Sequence, residues 1–537
     1  MKNSFSSKVF GTFGFAAVAI LSYFLISCSS TPTGLRSLAP ANTAIYLETP
    51  DLGVLLGRLA DNPSITGGEP AFDPSLLEGV EAAVAVSGFE ATESPVTDSE
   101  AVLNFKPDFV LIADTKAWSW QMESLVEATL GRFVNGHYGV GTRAEKIIRD
   151  GNRWYVWTSP DGRKAYAAIS GSTVFFGNRE ESVLECLSVK EGKIDSLLSN
   201  DRLSRQYESA KGKLAFGYVS EDGIAQLSDF AGVSMAIDQS EEAGAQTVIS
   251  SVFPQLIRNS IREIVWTATA HEDGIEDVID LRLESDVSEA FVASMSPSAA
   301  ADNEITKFIP AEAYSATRYN LRNPRVAFRS LILASALKVD QAATRFIPAL
   351  GASLLQPYGV EDPEAFLSYC DPFLLTIQFD EAGDSAAAVV KTDNFEEIRE
   401  HLIEGFAPVE SEEKETLEDP RTGLRAAREG SYLVLGDPVS VAKTLRAFAG
   451  RSEAAKGNDI TRTQAFAFLG RPEHTSVTVS RDGSTAADLA KVFVDGPANV
   501  RTETFDLTLT DFEQFGIRRT YRSEFGFPGY LIGMFGD

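Results

Sequence analysis

The residue with the most defined chemistry is Cys28, a thiol that closes an apolar run. Lys2 and Lys8 are the only charges ahead of it, residues 9–26 are almost wholly apolar, and Leu25-Ile26-Ser27 leads into the cysteine. A cationic start, a span that enters the bilayer and a small residue before a thiol form a bacterial lipoprotein signal. The expectation is cleavage before Cys28 and lipidation of its sulfur, so that the mature chain is held on a membrane by its first residue. Residues 29–36, with Ser, Thr, Pro and Gly, read as a tether of at most ~29 Å. Ser29 stands where aspartate would mark inner-membrane retention. The body is expected in the periplasm, on the outer membrane.

Other residue patterns that could do chemistry are incomplete. His137, His271, His401 and His474 stand far apart, with no His-x-x-x-His or Cys-x-x-Cys spacing to ligate zinc. Ser335-Ala336-Leu337-Lys338 has the spacing of a lysine-activated serine, but Lys391-Thr392-Asp393 puts aspartate where the partner motif needs glycine. A helix face explains Ser335 and Lys338 more simply. Asp380-Glu381-Ala382-Gly383-Asp384 reads as a turn, since it lacks the EF-hand spacing for calcium. Residues 136–141, with three glycines, read as a flexible turn and not a dinucleotide loop. Cys186 and Cys370 read as two free buried thiols. No catalytic residues, metal or cofactor are expected.

One candidate binding surface remains. Trp154-Tyr155-Val156-Trp157, an Asp161-Gly162 turn and Tyr166-Ala167-Ala168-Ile169 form a β-hairpin by pattern. Strand parity puts Trp154 and Val156 on one face and Tyr155 and Trp157 on the other, so both faces carry large apolar side chains. One face must meet the core. The second meets protein, or else Trp154, Tyr155, Trp157 and Tyr166 offer an apolar surface to a lipid or peptide.

The elements that would position these residues repeat. A β-prone run at Ile45-Tyr46-Leu47 leads through Thr49-Pro50 into the helix-periodic Leu52, Leu55, Leu56 and Leu59. Thr49 reads as the helix cap. The same order returns at Tyr314 to Tyr319, Asn323-Pro324, then Val326, Phe328 and Leu331. Val174-Phe175-Phe176-Gly177 before a helix is answered by Leu433-Val434-Leu435-Gly436, and Val219-Ser220-Glu221-Asp222-Gly223 by Val479-Ser480-Arg481-Asp482-Gly483. A hairpin turning at Glu272-Asp273-Gly274 is answered by one turning near Thr510-Asp511. Collinear matches with shrinking offsets predict an internal duplication. The expected layout is a first copy at 37–292, a linker at 293–304 and a second copy at 305–537. Each copy is an α+β unit of mainly antiparallel sheet with helices packed on one face, and the linker predicts two separately folding cores. Acidic stretches at 90–100 and 410–419 read as solvated loops.

Composition bounds the function. The chain carries 48 basic against 76 acidic side chains, a net charge of −28, with 44% hydrophobic residues. Such a field repels nucleic acid, which relies on Lys/Arg neutralisation.

The opening of the body resembles a bacterial family called domain of unknown function 3352. The residues that carry the likeness are Ala39-Pro40-Ala41-Asn42-Thr43, Ile45-Tyr46-Leu47 and Asp51-Leu52, with Asn200-Asp201 and Lys213-Leu214-Ala215-Phe216-Gly217-Tyr218-Val219 downstream. The resemblance implies an exported or membrane-attached protein, with no assigned activity and no catalytic residues to carry over. The expected function is thus a non-enzymatic, lipid-anchored scaffold that binds an envelope protein partner. The alternative is a carrier or sensor of an apolar ligand.

Overall fold

The computed structural model describes residues 34–60, 74–95, 101–116, 122–124, 126–139, 141–229, 243–271, 274–300, 302–380, 383–409, 415–450, 466–481 and 506–529. Cys28 lies outside them, as do Trp118, Trp120, Glu272, Asp273, Asp482 and Gly483.

Among the described residues, the β-branched and aromatic runs form twenty strands in one sheet. In the first half these are β1 (Ile45–Thr49), β2 (Glu81–Pro95), β3 (Ala101–Asp114), β4 (Arg143–Arg149) and β5 (Asn152–Thr158). Then come β6 (Lys164–Ser170), β7 (Thr173–Gly177), β8 (Ala215–Val219), β9 (Ile261–His271) and β10 (Gly274–Leu283). The second half has β11 (Ser315–Asn320), β12 (Phe373–Gln378), β13 (Ala386–Lys391), β14 (Ala407–Pro408) and β15 (Thr416–Glu418). It ends with β16 (Arg425–Glu429), β17 (Tyr432–Gly436), β18 (Ser476–Ser480), β19 (Asp506–Glu513) and β20 (Gly516–Ser523).

Pairing is antiparallel throughout, and the order is the same in both halves. From its outer edge the first half runs β4-β5-β6-β7-β3-β2-β1-β8-β9-β10. The second runs β14-β15-β16-β17-β13-β12-β11-β18-β19-β20. They meet where β10 pairs with β20, from Ile275↔Ser523 to Arg282↔Gly516.

The helices that matter for packing are α1 (Leu52–Ala60), α2 (Gly131–Tyr138), α3 (Glu180–Lys190), α4 (Asp201–Ser209) and α5 (Ala243–Ser260). After them come α6 (Ser285–Ser294), α7 (Pro324–Leu337), α8 (Ile347–Ser353), α9 (Pro363–Ser368) and α10 (Pro438–Phe448). Side-chain caps start α4, α7, α9 and α10, and the cap expected for α1 is shifted. Asn323 accepts from the Val326 amide before Pro324, but α1 is capped by Asp51, whose Oδ1 takes the Val54 amide. Thr49 instead donates to the Leu214 carbonyl.

The architecture is α+β, and helices cover both faces of the sheet, not one. On the lower face Tyr46, Val110, Trp154 and Phe175 pack on Val183, Cys186 and Leu187 of α3 and Leu203 of α4. On the upper face Tyr155, Trp157 and Phe176 pack on Val134 of α2. The second half repeats this, with Val441 of α10 below and Phe366 and Leu367 of α9 above. The reason is visible in β7, β8 and β17, which are buried at every residue. Unbroken apolar strands need cover on two sides.

The two cores do not part at a linker. Met295 is buried and Asn320 bonds Ser298 in both directions, so the join is packed against the sheet. Below the seam, Arg518 forks onto Asp280 at 2.8 and 2.9 Å and Arg522 meets Glu276 at 2.7 Å. Above it, residues 525–527 strap back over the first half. Asp277 Oδ2 takes the Phe527 amide at 2.7 Å and Oδ1 takes the Trp266 indole N–H at 2.8 Å. Phe525 and Phe527 are buried among Trp266, Ile275 and Ile279, at about 1.5–3 kcal/mol of stabilisation per side chain.

Smaller expectations also move. Residues 90–95 are strand, because pairing with β3 fixes their backbone whatever their charge. Within 410–419, β15 is strand as well. Gly136, His137 and Tyr138 close α2, and Gly139 at φ +95° ends it. The final hairpin turns at Gln514-Phe515, past Thr510-Asp511. Leu35 and Arg36 are buried, so the fold begins inside the expected tether.

Candidate functional site

A cavity of about 890 Å³ lies on the upper face of the second half. Its floor comes from strands in which small polar and apolar residues alternate. In β11, Ser315, Thr317 and Tyr319 point up while Ala316 points into the lower core. In β18, Ser476, Thr478 and Ser480 point up while Val477 and Val479 point down. Register then lines the hydroxyls up across strands, Thr376 beside Thr317, Thr317 beside Thr478, and Thr478 beside Thr508. Phe328 and Leu331 of α7 form the roof with Leu354, Leu355 and Tyr358, and Phe291 and Met295 close one wall.

The matching face of the first half is built differently. Ile45, Leu47, Val219, Ile264 and Trp266 occupy the corresponding strand positions and line an apolar cavity of about 240 Å³ beneath Ile257 and Phe527. Gly217 leaves room there, since a Cβ would meet the Trp266 ring at 2.6 Å.

The second-half site can bind by hydrogen bonds and apolar contact. Thr317 and Thr478 hydroxyls share a bond at 2.9 Å and Ser315 donates to Gln378 Oε1 at 2.8 Å. One such pair uses one O–H of its two, which leaves further donors and lone pairs beside the cavity. Its acid–base equipment is poor. Burial pushes the Cys370 thiol well up, and the thiol leans on the Phe366 carbonyl, so it is not a ready nucleophile. Burial likewise pushes the Tyr358 phenol to about 12. Among the residues lining the cavity there is no histidine or lysine.

The residues singled out from sequence are not brought together there. Trp154 and half-buried Tyr166 pack on α3 below the sheet, while Tyr155 and Trp157, stacked at 5.9 Å, pack on Val126 and Val134 above it. Strand parity was as expected. Tyr155 and Trp157 line a cavity of about 520 Å³ with Glu127, Arg132 and Lys146, whereas Trp154 and Tyr166 face the lower core, so the four side chains share no common surface. Lys338 is held by Asp286 at 2.9 Å and not aimed at Ser335. Asp380 accepts the amides of Asp384 and Ser385, which makes it a turn residue. His474 Nδ1 meets Asp511 at 2.8 Å, yet among the described residues no hydroxyl or thiol bonds its other nitrogen. Cys186 and Cys370 stand in separate halves, unbonded.

A second buried ionisable group belongs to the structure and not to a site. Glu48 accepts from the Tyr46 hydroxyl at 2.8 Å and from Tyr207 at 3.1 Å, and meets Arg36 at 3.4 Å. The Arg36 guanidinium also lies 3.0 Å over the Tyr207 ring. Burial pushes the Glu48 carboxyl up. The cluster is filled and fastens residue 36 to the sheet.

The cavity floor was missed because Ser-Val-Thr-Val-Ser at 476–480 and Asp-Leu-Thr-Leu-Thr at 506–510 read as strands with one face in water. Only the helices of the second half show that the polar face is roofed.

No family model matches the chain, and no curated protein matches it. Among solved structures, crystal form I of TP0453 is similar at 11% identity, covering 48% of this chain and 80% of that one, with a TM-score of 0.23. Crystal form III of TP0453 gives 14% identity, 47% and 79% coverage, and a TM-score of 0.24. Likeness at these TM-scores bears on neither fold nor function.

Proposed function

We propose that this chain is a non-enzymatic, lipid-anchored protein of the bacterial envelope that holds an apolar or amphipathic ligand in the second-half cavity. The observation that carries the reading is the cavity itself. Its volume of about 890 Å³ falls within the ~300–1,000 Å³ of ligand sites, which are mostly apolar with a few convergent polar groups. A scaffold alone has no use for a roofed hydroxyl floor. The lining holds one carboxylate, Asp371, and no histidine, lysine or activated nucleophile, which favours binding over catalysis.

The anchor rests on Cys28, and membership of the domain of unknown function 3352 family rests on the opening residues. The two halves are proposed to descend from one duplicated unit. What supports this is the common strand order, with β1 and α1 answering β11 and α7, and β7 and α3 answering β17 and α10. No helix among the described residues is long and apolar enough to cross a membrane. Cys28→Ala is expected to release the protein to the soluble fraction. Wild-type chain without a mass increment on Cys28 would refute the anchor.

Native mass spectrometry of the full chain, gently released from membranes, tests the binding reading. Wild type should carry a small apolar molecule at one per chain, and Leu331→Trp, which fills the cavity, should lose it. An equal adduct on both proteins, or a bare wild type, would contradict the reading.

A further inference from the structure

We propose that the ligand is a single-chain amphiphile with an anionic head, a fatty acid carboxylate, and that Arg519 receives the head; this rests on the cavity being a binding site. Arg519 lies on the upper face of β20, two residues after Ile517, and its register partners are Thr510 of β19 and Ile279 of β10. Ile517 and Thr510 line the cavity. Its charge reaches the Tyr319 hydroxyl, which lines the same cavity.

The neighbouring arginines of β20 are taken. Arg518 holds Asp280 and Arg522 holds Glu276. Among the described residues no carboxylate pairs with Arg519, its Nε is buried without a hydrogen-bond partner, and its guanidinium rests 5.0 Å from the Tyr521 ring. In a chain with 76 acidic and 48 basic side chains, a guanidinium left over on the strand position beside cavity-lining Thr510 and two residues from cavity-lining Ile517 calls for an acceptor from outside. A carboxylate fits the planar fork with two oxygens, and the Thr510 hydroxyl adds a donor beside it.

Register also gives the chain a course. Arg519, Thr510, Ser476, Tyr319 and Leu374 stand in one row across the sheet. Four strand spacings of ~4.8 Å make this row ~19 Å long, under Phe328 and Leu331. At the far end stands Asp371, half exposed and 3.7 Å from Lys391, which Asp302 also engages. An anionic head is repelled by Asp371 and drawn to Arg519, so the tail points toward Leu374.

Oleate and its uncharged relative monoolein separate the head from the tail. Titrated into the full chain at pH 8 and read by native mass spectrometry, oleate should bind one to one and at least tenfold tighter than monoolein. Arg519→Gln should bring oleate down to the monoolein level and leave monoolein unchanged, while Arg519→Lys, which keeps the charge, should retain the preference. Leu331→Trp should weaken both. Oleate binding no tighter than monoolein, or indifferent to Arg519→Gln, would overturn the head-group assignment while the Leu331→Trp loss kept the cavity reading. If Leu331→Trp left both ligands bound, the cavity reading would fall and this proposal with it.

Discussion

Asp277 is the side chain whose protonation the fold most plainly controls. It is 1% exposed, and desolvation by burial lifts its carboxyl to about 7, against the pull of the Phe527 amide and the Trp266 indole, with Glu276 lifting it further. In the unfolded chain an aspartate titrates near ~3.9. Between those values the native state binds more protons than the unfolded one, so stability is full below about pH 4 and falls as pH rises to about 7. At ~1.4 kcal/mol per unit the contribution is on the order of 4 kcal/mol. Melting temperatures taken from pH 4 to 8 should show this decline, and Asp277→Asn should flatten it. An equal slope in the variant would assign the decline to other groups. Sequence gave no sign of this residue, since Glu276-Asp277 reads as one more charged pair in a strand, and only the returning strap buries it.

Among the elements, the strap at 525–527 depends on one backbone position. Gly526 sits at φ +60°, and a Cβ there would stand 2.5 Å from Ile275 and 2.7 Å from Asp277 Oδ2. Gly526→Ala therefore meets both a left-handed penalty of ~1 kcal/mol and a clash with the buried side chains of Ile275 and Asp277. The expected outcome is a loosened strap, seen as a red shift of Trp266 emission and a lower melting temperature, with the far-ultraviolet dichroism unchanged. An unshifted emission would show that the strap does not cover Trp266 in solution. Strands and helix starts were legible from sequence, because alternation in β18 and Asn323-Pro324 before α7 act locally. The pairing of β10 with β20, and helices above as well as below the sheet, were not. Those depend on partners more than two hundred residues away, as with Asp280 and Arg518.

At the scale of the whole molecule, the continuous seam makes the described residues one body, whose two halves share a strand order. Cutting after residue 300 removes β20 and the strap together, and so uncovers Ile275, Ile279 and Trp266. Such a fragment should lack a cooperative melt and emit to the red of the full chain; a sharp melt with blue emission would show that the first half stands alone. The site is a product of this scale too. Threonines at 317, 376, 478 and 508 are far apart in sequence and become one row only when four strands pair. The most direct test of the binding reading uses the placement of indoles, since all five tryptophans lie between residues 118 and 266, within the first half. Tyr358→Trp puts a reporter in the cavity roof, and 9,10-dibromostearate, compared with stearate, quenches an indole that its chain touches. The expected result is quenching of the added emission at position 358 and none of the wild-type emission. Quenching of the wild-type indoles with none at position 358 would contradict it, because the chain would then lie in the first-half cavity beside Trp266.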